Sequence, residues 1–314
     1  MLFYWIGGAM LLLCLAVLIT AYVCFYRIFY FPKRKQKKGG ELASLPYGDI
    51  YAPYREEMAD WVRKVKELPC KEVSITSFDG LTLRGRYYEH TPGAPIELLM
   101  HGYKGNSLRD LSGGVFRCFA LGRNALIVDH RAAGRSEGSV ITFGVNESRD
   151  CAEWVNLILR EIDPNAKIIL TGISMGAATV LTAAGYDLPG NVVGVLADCG
   201  YTSSEAIIKK VIRDMKLPAD LLYPFARLGA KIFGGFDPDQ RSPIGSMKQC
   251  KLPVIFIHGD ADAFVPPEMS KENYQACTNA KRLVVIPGAG HGLCYPANRE
   301  TYLRELKDFF DPYL

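Results

Sequence analysis

The stretch "KIILTGISMGAATVLTAAG", residues 167–185, runs from an apolar segment through Gly-Ile-Ser-Met-Gly into a string of small residues. It reads as a strand, a sharp turn at Ser174 and a helix. At such a turn the serine is held in a strained conformation with its hydroxyl presented outward. Gly172 and Gly176 remove the side chains that would collide where strand and helix approach, and Ala177 and Ala178 let the helix lie close to the sheet. The pentad fits the G-x-S-x-G nucleophile elbow. Taken alone it fits a tight strand-to-helix connection equally well, so its company decides.

That company is a series of short apolar runs separated by helical stretches: "IELLMHG", "ALIVDHR", "KIILTGIS", "VVGVLADCG", "PVIFIHGD" and "RLVVIPGAGH". Val-, Ile- and Leu-rich runs alternating with helices predict a mostly parallel sheet covered on both faces. "EVSITSFDGLTLRGRYYE" adds a hairpin about Asp79-Gly80, which brings the count to eight strands. Ahead of it, "YREEMADWVRKVKEL" fits a helix burying Met58, Trp61, Val62 and Val65. Between "ADCGY" and "PVIFIHGD" lies a longer interval, about residues 200–250, with two helical patterns broken at Pro218. It is either a small cap over the strand ends or one crossover helix with an elaborated loop.

Ligands of such sheets bind beyond the carboxyl ends of the strands. The residues ending the runs are His101, Asp129, Ser174, Asp198, His258 with Asp260 and Asp262, and His291. A serine hydroxyl is a weak nucleophile that needs a base, itself oriented by a third group. His291 follows the last strand and Asp262 the one before it, so the catalytic order Ser174, Asp262, His291 is that of an α/β-hydrolase sheet. Asp198, at the end of the sixth strand, is the alternative acid. His130 and His258 read as loop or supporting residues, because no two histidines share a metal-ligand spacing.

From about residue 71 onward the chain resembles the α/β-hydrolase superfamily, in particular membrane-anchored bacterial hydrolases of the Bem46-like and serine-aminopeptidase-like (S33-type) branches. The resemblance rests on "LLMHGYKGN", "VDHRAAGRSEG", "GISMGAA", "FIHGDADAFVP" and "PGAGH". It implies that Asp262 rather than Asp260 is the functional carboxylate. It also implies an oxyanion hole made by the backbone N–H groups of Tyr103 and Met175. In the same comparison His101 and Gly102 shape the turn before Tyr103, and Asp129, Arg131 and Gly134 brace a loop below the site. Ala133, where the family often has histidine, and "GHGLCY" after the base depart from its pattern and bear on substrate preference.

Residues 1–26 hold no charged side chain and are long enough to span a bilayer, so residues 1–31 read as a single-pass transmembrane anchor. Arg27, Lys33, Arg34, Lys35, Lys37 and Lys38 follow it and nothing basic precedes it. By the positive-inside rule, the basic linker at 32–45 and the hydrolase domain at 46–314 are expected on the cytoplasmic side of the cell membrane. A cleaved secretory signal fits poorly, lacking a basic start and a small-residue cleavage site. The formal charge of +4 is concentrated in those six residues, and the remainder carries 31 basic and 33 acidic side chains. A nucleic-acid partner is therefore not expected. Nine cysteines without a C-x-x-C pair predict neither a disulfide framework nor a zinc site, but small buried hydrophobes.

These readings together predict an acyl hydrolase that needs no metal or cofactor. Its expected substrate is a small-molecule or lipid-like ester or thioester, cleaved through an acyl-serine intermediate. Peptidase or amidase action of the aminopeptidase-like type is the alternative, and a membrane-tethered binding protein that has lost catalysis is a third reading.

Overall fold

The computed structural model of the chain describes residues 2–32, 45 and 48–314, so most of the basic linker lies outside the described residues. Eight strands form one sheet: β1 (Lys71–Thr76), β2 (Thr82–Tyr88), β3 (Ile96–Met100), β4 (Asn124–Val128), β5 (Ile168–Ile173), β6 (Val192–Asp198), β7 (Val254–Gly259) and β8 (Lys281–Ile286). Their spatial order is β1-β2-β4-β3-β5-β6-β7-β8. β2 pairs antiparallel with β1 and β4, and every later pairing is parallel. The expected fold, an eight-stranded mostly parallel sheet with helices on both faces, is the one observed.

Alternation along the central strands separates two cores. Ile96, Leu98 and Met100 of β3 and Ile168 and Leu170 of β5 face one cluster, which Trp154 and Val155 of a helix at Val145–Leu157 help to fill. Leu99 faces the other side, against Val115 and Cys118 of a helix at Ser107–Ala120. Ile169 meets Tyr302, Leu306 and Phe309 of the last long helix, Arg299–Phe310. In the lead-in helix, Arg55–Glu67, the buried residues are Ala59, Val62 and Val65. Met58 and Trp61, expected on the same face, sit at its edge, where the Trp61 ring lies 5.7 Å from that of Tyr295. Six of the nine cysteines are buried and unpaired.

One charged group sits inside this apolar frame. Glu97 of β3 is fully buried and bonds Arg123 Nη1 at 2.8 Å, Thr171 Oγ1 at 2.8 Å and Arg117. Burial opposes its ionisation, but the two guanidinium groups outweigh burial and hold its pKa at about 2.

The N-terminal helix α1, Leu2–Ile28, carries a 26-residue stretch, Phe3–Ile28, long and apolar enough to cross a membrane. Its first four turns are exposed, but Ala21 and Phe25, and Phe29 just beyond it, are buried. They pack on a helix at Ala219–Gly234, and the chain then adds a one-residue antiparallel bridge, Tyr30 to Val140. The interval between β6 and β7 thus holds two long helices, Ser204–Asp214 and Ala219–Gly234, parted at Pro218 as the sequence predicts, and a short third at Pro243–Met247.

Replacing Glu97 by Gln leaves two buried guanidinium groups without a counter-charge, at an expected cost of about 3–5 kcal/mol at neutral pH. Because the folded-state pKa is depressed, this contribution is fully present above about 4.5 and is lost as pH falls towards 2. Thermal unfolding of the two proteins in detergent is expected to show a gap that closes across that window.

Candidate active site

The site is built at the carboxyl ends of β3, β5, β6, β7 and β8. Ser174 sits between β5 and a helix at Met175–Ala183, with φ +57° and ψ −117°. The glycines of the pentad are forced by contact. A Cβ on Gly172 would lie 2.1 Å from the Gly176 carbonyl oxygen, and one on Gly176 would lie 2.0 Å from that of Met100. Neither distance is attainable, so both positions admit only glycine.

His291 Nε2 is 2.9 Å from Ser174 Oγ, and His291 Nδ1 is 2.7 Å from Asp262 Oδ2. An ionised carboxylate only accepts, so Nδ1 carries the imidazole proton and Nε2 is left to accept from the serine hydroxyl. Asp262 is itself held on every side. Its Oδ1 accepts from the N–H groups of Phe264 and Val265, both at 2.9 Å, and its Oδ2 also lies 3.2 Å from His258 Nε2. Burial would raise its pKa, but the hydrogen bonds from His258 and His291 outweigh this and keep it well below the usual carboxylate range. His258 is fixed in turn by Ser270 Oγ, 2.7 Å from its Nδ1.

Asp198, the alternative acid, is turned elsewhere. Its Oδ2 accepts from the Tyr302 hydroxyl at 2.8 Å, and burial raises its pKa despite that bond. Asp260 accepts from Gly288 N–H at 2.6 Å on the surface. The structure therefore brings Asp262, not Asp198 or Asp260, to the imidazole.

The loop after β3 reaches Ser174 from the other side: a Cβ on Gly102 would stand 3.6 Å from Ser174 Cβ. Tyr103 and Met175 thus flank the serine. Met175 opens its helix, so its N–H is among those with no acceptor within the helix. His101 and His130 lock the loop below. His101 Nε2 accepts from His130 N–H at 3.0 Å, and His130 Nε2 lies 3.1 Å from the His101 carbonyl. Burial keeps both rings below the ordinary histidine pKa. Asp129 accepts from the N–H groups of Ser107 and Arg135, and a Cβ on Gly134 would fall 2.3 Å from its carboxylate. Arg131 bonds Asp150 and Asp79, so this cluster braces loops, as the resemblance implies.

Three contributors leave no local signal in the sequence. The Tyr51 hydroxyl donates to the His291 carbonyl at 3.0 Å, which closes the lead-in segment over the site; burial pushes its pKa up to about 12. Met58 joins Tyr51, Tyr103, Ile173 and Phe264 in lining a cavity of about 190 Å³ over Ser174 and His291. Cys199, at φ +47°, is buried beneath the pair, with Sγ and the donor atoms of Asp262 and His291 within 4.8 Å of one another. These three atoms are the one metal-capable group at the site among the described residues, yet Asp262 and His291 are bonded to each other. The Cys199 thiol is held protonated by burial and by the nearby Asp198 and Asp262 charges.

Comparison with known proteins now bears on the frame. Residues 231–314 match the prolyl oligopeptidase family model. The chain is 26% identical over 306 residues to the uncharacterized protein YqkD of Bacillus subtilis (strain 168), covering 96% of this chain and 97% of that one. It is 28% identical over 200 residues to protein bem46 of Schizosaccharomyces pombe, covering 62% and 60%. Among solved structures, the Pyrococcus furiosus esterase Pf2001 superposes with a TM-score of 0.67 at 22% identity, covering 91% of this chain and 98% of that one. The chain has the α/β-hydrolase fold and is similar in sequence to protein bem46. The fold expected from the elbow and the strand-end residues is the one observed.

Within this fold the two carboxylates can be told apart. Asp262→Asn would let the imidazole adopt the wrong tautomer, and ester hydrolysis is expected to fall about 10⁴-fold. Asp198→Asn keeps a group that Tyr302 can bond and is expected to hold the rate within about 10-fold, since His291 is untouched. Initial rates on a p-nitrophenyl ester compare the two.

Proposed function

We propose that this protein is a membrane-anchored serine acyl hydrolase cleaving carboxylic esters or thioesters. The observation that carries the reading is the unbroken chain from Ser174 Oγ through His291 to Asp262 Oδ2, at 2.9 and 2.7 Å, on a strained elbow. In the forward step His291 Nε2 takes the hydroxyl proton as Ser174 Oγ bonds the acyl carbon. The carbonyl oxygen becomes an oxyanion facing the N–H groups of Tyr103 and Met175, each such donor being worth about 3–4 kcal/mol of transition-state stabilisation. The protonated imidazole, steadied by Asp262, then gives its proton to the leaving alcohol or thiol. Water repeats the sequence on the acyl-serine and releases the acid.

An ester is favoured over a free peptide amino terminus by the cavity walls. Tyr51, Met58, Ile173 and Phe264 offer an apolar lining. The nearby carboxylate, Asp110, is already engaged by Arg109 and by Gly102 N–H, which leaves no spare anion at the cavity for an ammonium group among the described residues. Peptidase or amidase action remains the second reading because of the prolyl oligopeptidase match. The tethered-binder reading gives no use for the strain at Ser174.

We also place α1 across the membrane, with the hydrolase domain on the cytoplasmic side, supported by its apolar length and the basic residues that follow it.

Labelling, turnover and protease access test this. A fluorophosphonate probe should label the full-length protein in detergent and not its Ser174→Ala variant, and ester turnover in that variant should fall by roughly 10⁴–10⁶-fold. A folded, unlabelled wild type would sink the proposal. Faster turnover of aminoacyl anilides than of p-nitrophenyl acyl esters would transfer it to the peptidase reading. For orientation, protease added to right-side-out vesicles should leave the domain intact; its digestion there would reverse the assignment of sides.

A further inference from the structure

The last carbonyls of an α-helix accept nothing from within the helix and are met from outside it. At the end of α1, two of them are met by the loop after β3. The Tyr103 hydroxyl donates to the Ile28 carbonyl at 2.5 Å, and Lys104 Nζ donates to the Arg27 carbonyl at 3.3 Å. The ammonium group thus sits at the negative end of the helix dipole, where a cation is favoured. The residues that cap α1 are therefore the ones that follow Gly102 beside Ser174.

A second route joins the same two places. Beyond Ile28 the chain pairs with residues 139–141: the Phe29 carbonyl accepts from Ile141 N–H at 2.9 Å, and Phe31 N–H donates to the Ser139 carbonyl at 2.7 Å. Phe143, two residues further on, stands between α1 and the loop. Its ring centroid is 5.5 Å from that of Phe29 and 5.0 Å from that of Tyr103.

The loop is of a kind that needs holding. Residues 102–105 form a turn closed by Gly105 N–H on the Gly102 carbonyl at 3.1 Å, with Lys104 in its third place at φ +52°. Phe143 stands at φ +55°. A side-chain-bearing residue is uncommon in that left-handed region and stays there when its surroundings impose it. Both residues touch the end of α1 or the residue after it.

We propose that the last turn of α1 belongs to the catalytic frame: by gripping the Tyr103 and Lys104 side chains, it fixes the Tyr103 N–H where the oxyanion forms. The inference rests on the hydrolase reading given above. The other donor, Met175, is fixed by the crowding of Gly172 and Gly176 and needs no such grip. The Tyr103 donor rides on a turn whose outward side chains end on another element. Its side chain is a positioning group, and α1 acts on the reaction as well as tethering the domain.

The test is the rate at which a fluorophosphonate modifies Ser174 in the full-length protein in detergent, resolved into a limiting rate constant and a half-saturating probe concentration. As Ser174 Oγ displaces fluoride at phosphorus, the phosphoryl oxygen takes the place of the oxyanion. Tyr103→Phe keeps the N–H and removes the grip, so the limiting rate is expected to fall about 10–100-fold while half-saturation stays within about twofold. Phe29→Leu loosens the end of α1 and leaves Tyr103 itself intact; its limiting rate is expected to fall in the same sense. Wild-type limiting rates in both variants would overturn the proposal. So would a raised half-saturating concentration at unchanged limiting rate in Tyr103→Phe, which would make the hydroxyl a substrate-binding group. A fall confined to Tyr103→Phe would deny α1 the role. A folded wild type that takes no label would remove the hydrolase reading, and this inference with it.

Discussion

Three backbones meet at one point in this molecule, and nothing there can be enlarged. The turn after β5 folds back so tightly that Gly172 lies under the carbonyl of Gly176, while Gly176 lies against that of Met100 at the end of β3. A methyl group at either place would be driven into a carbonyl oxygen. The strain in the Ser174 backbone is maintained by that crowding, and the position of its hydroxyl follows from it. The loop after β3 is held at the same junction, so Gly102 and Tyr103 are brought beside the serine by the packing that bends the serine outward.

Around this junction, electrostatics are resolved by division of labour. Glu97 and its two arginines satisfy each other deep in the sheet, and Arg131 and Asp150 do so beneath the loops. Asp262 instead gathers donors from its own loop and from His258, which leaves it ionised and able to hold one imidazole proton. Asp198, an equally buried carboxylate at the next strand end, lacks that set of donors and is raised rather than lowered. The difference between the two is one of hydrogen bonding more than of burial.

Most of the frame was legible along the chain because its signals are local. Apolar runs of strand length, an Asp79-Gly80 turn and chemically loaded strand ends each occupy a few consecutive residues, and they placed eight strands and the Ser174, Asp262 and His291 positions. What was not legible depends on contacts between distant segments. Tyr51 reaches His291 across 240 residues, and Tyr302 occupies Asp198 across 104. His258 reads as an ordinary strand-end residue until the β7 turn folds it onto Asp262. Met58 and Trp61 matched a helical period but sit at the rim of the buried face, because period defines a stripe and not how deeply its edges are covered.

On the proposed anchoring, the attachment of α1 has a consequence for how the protein searches. A domain on a loose leash tumbles through a hemisphere above its anchor and meets dissolved molecules from every direction. Here Phe25 and Phe29 are bedded in the domain and Tyr30 is stitched to Val140, so rotation about the tether is blocked. The mouth of the cavity keeps one heading relative to the membrane plane. Encounter then becomes a two-dimensional problem, governed by lateral diffusion of whatever lies in the same leaflet.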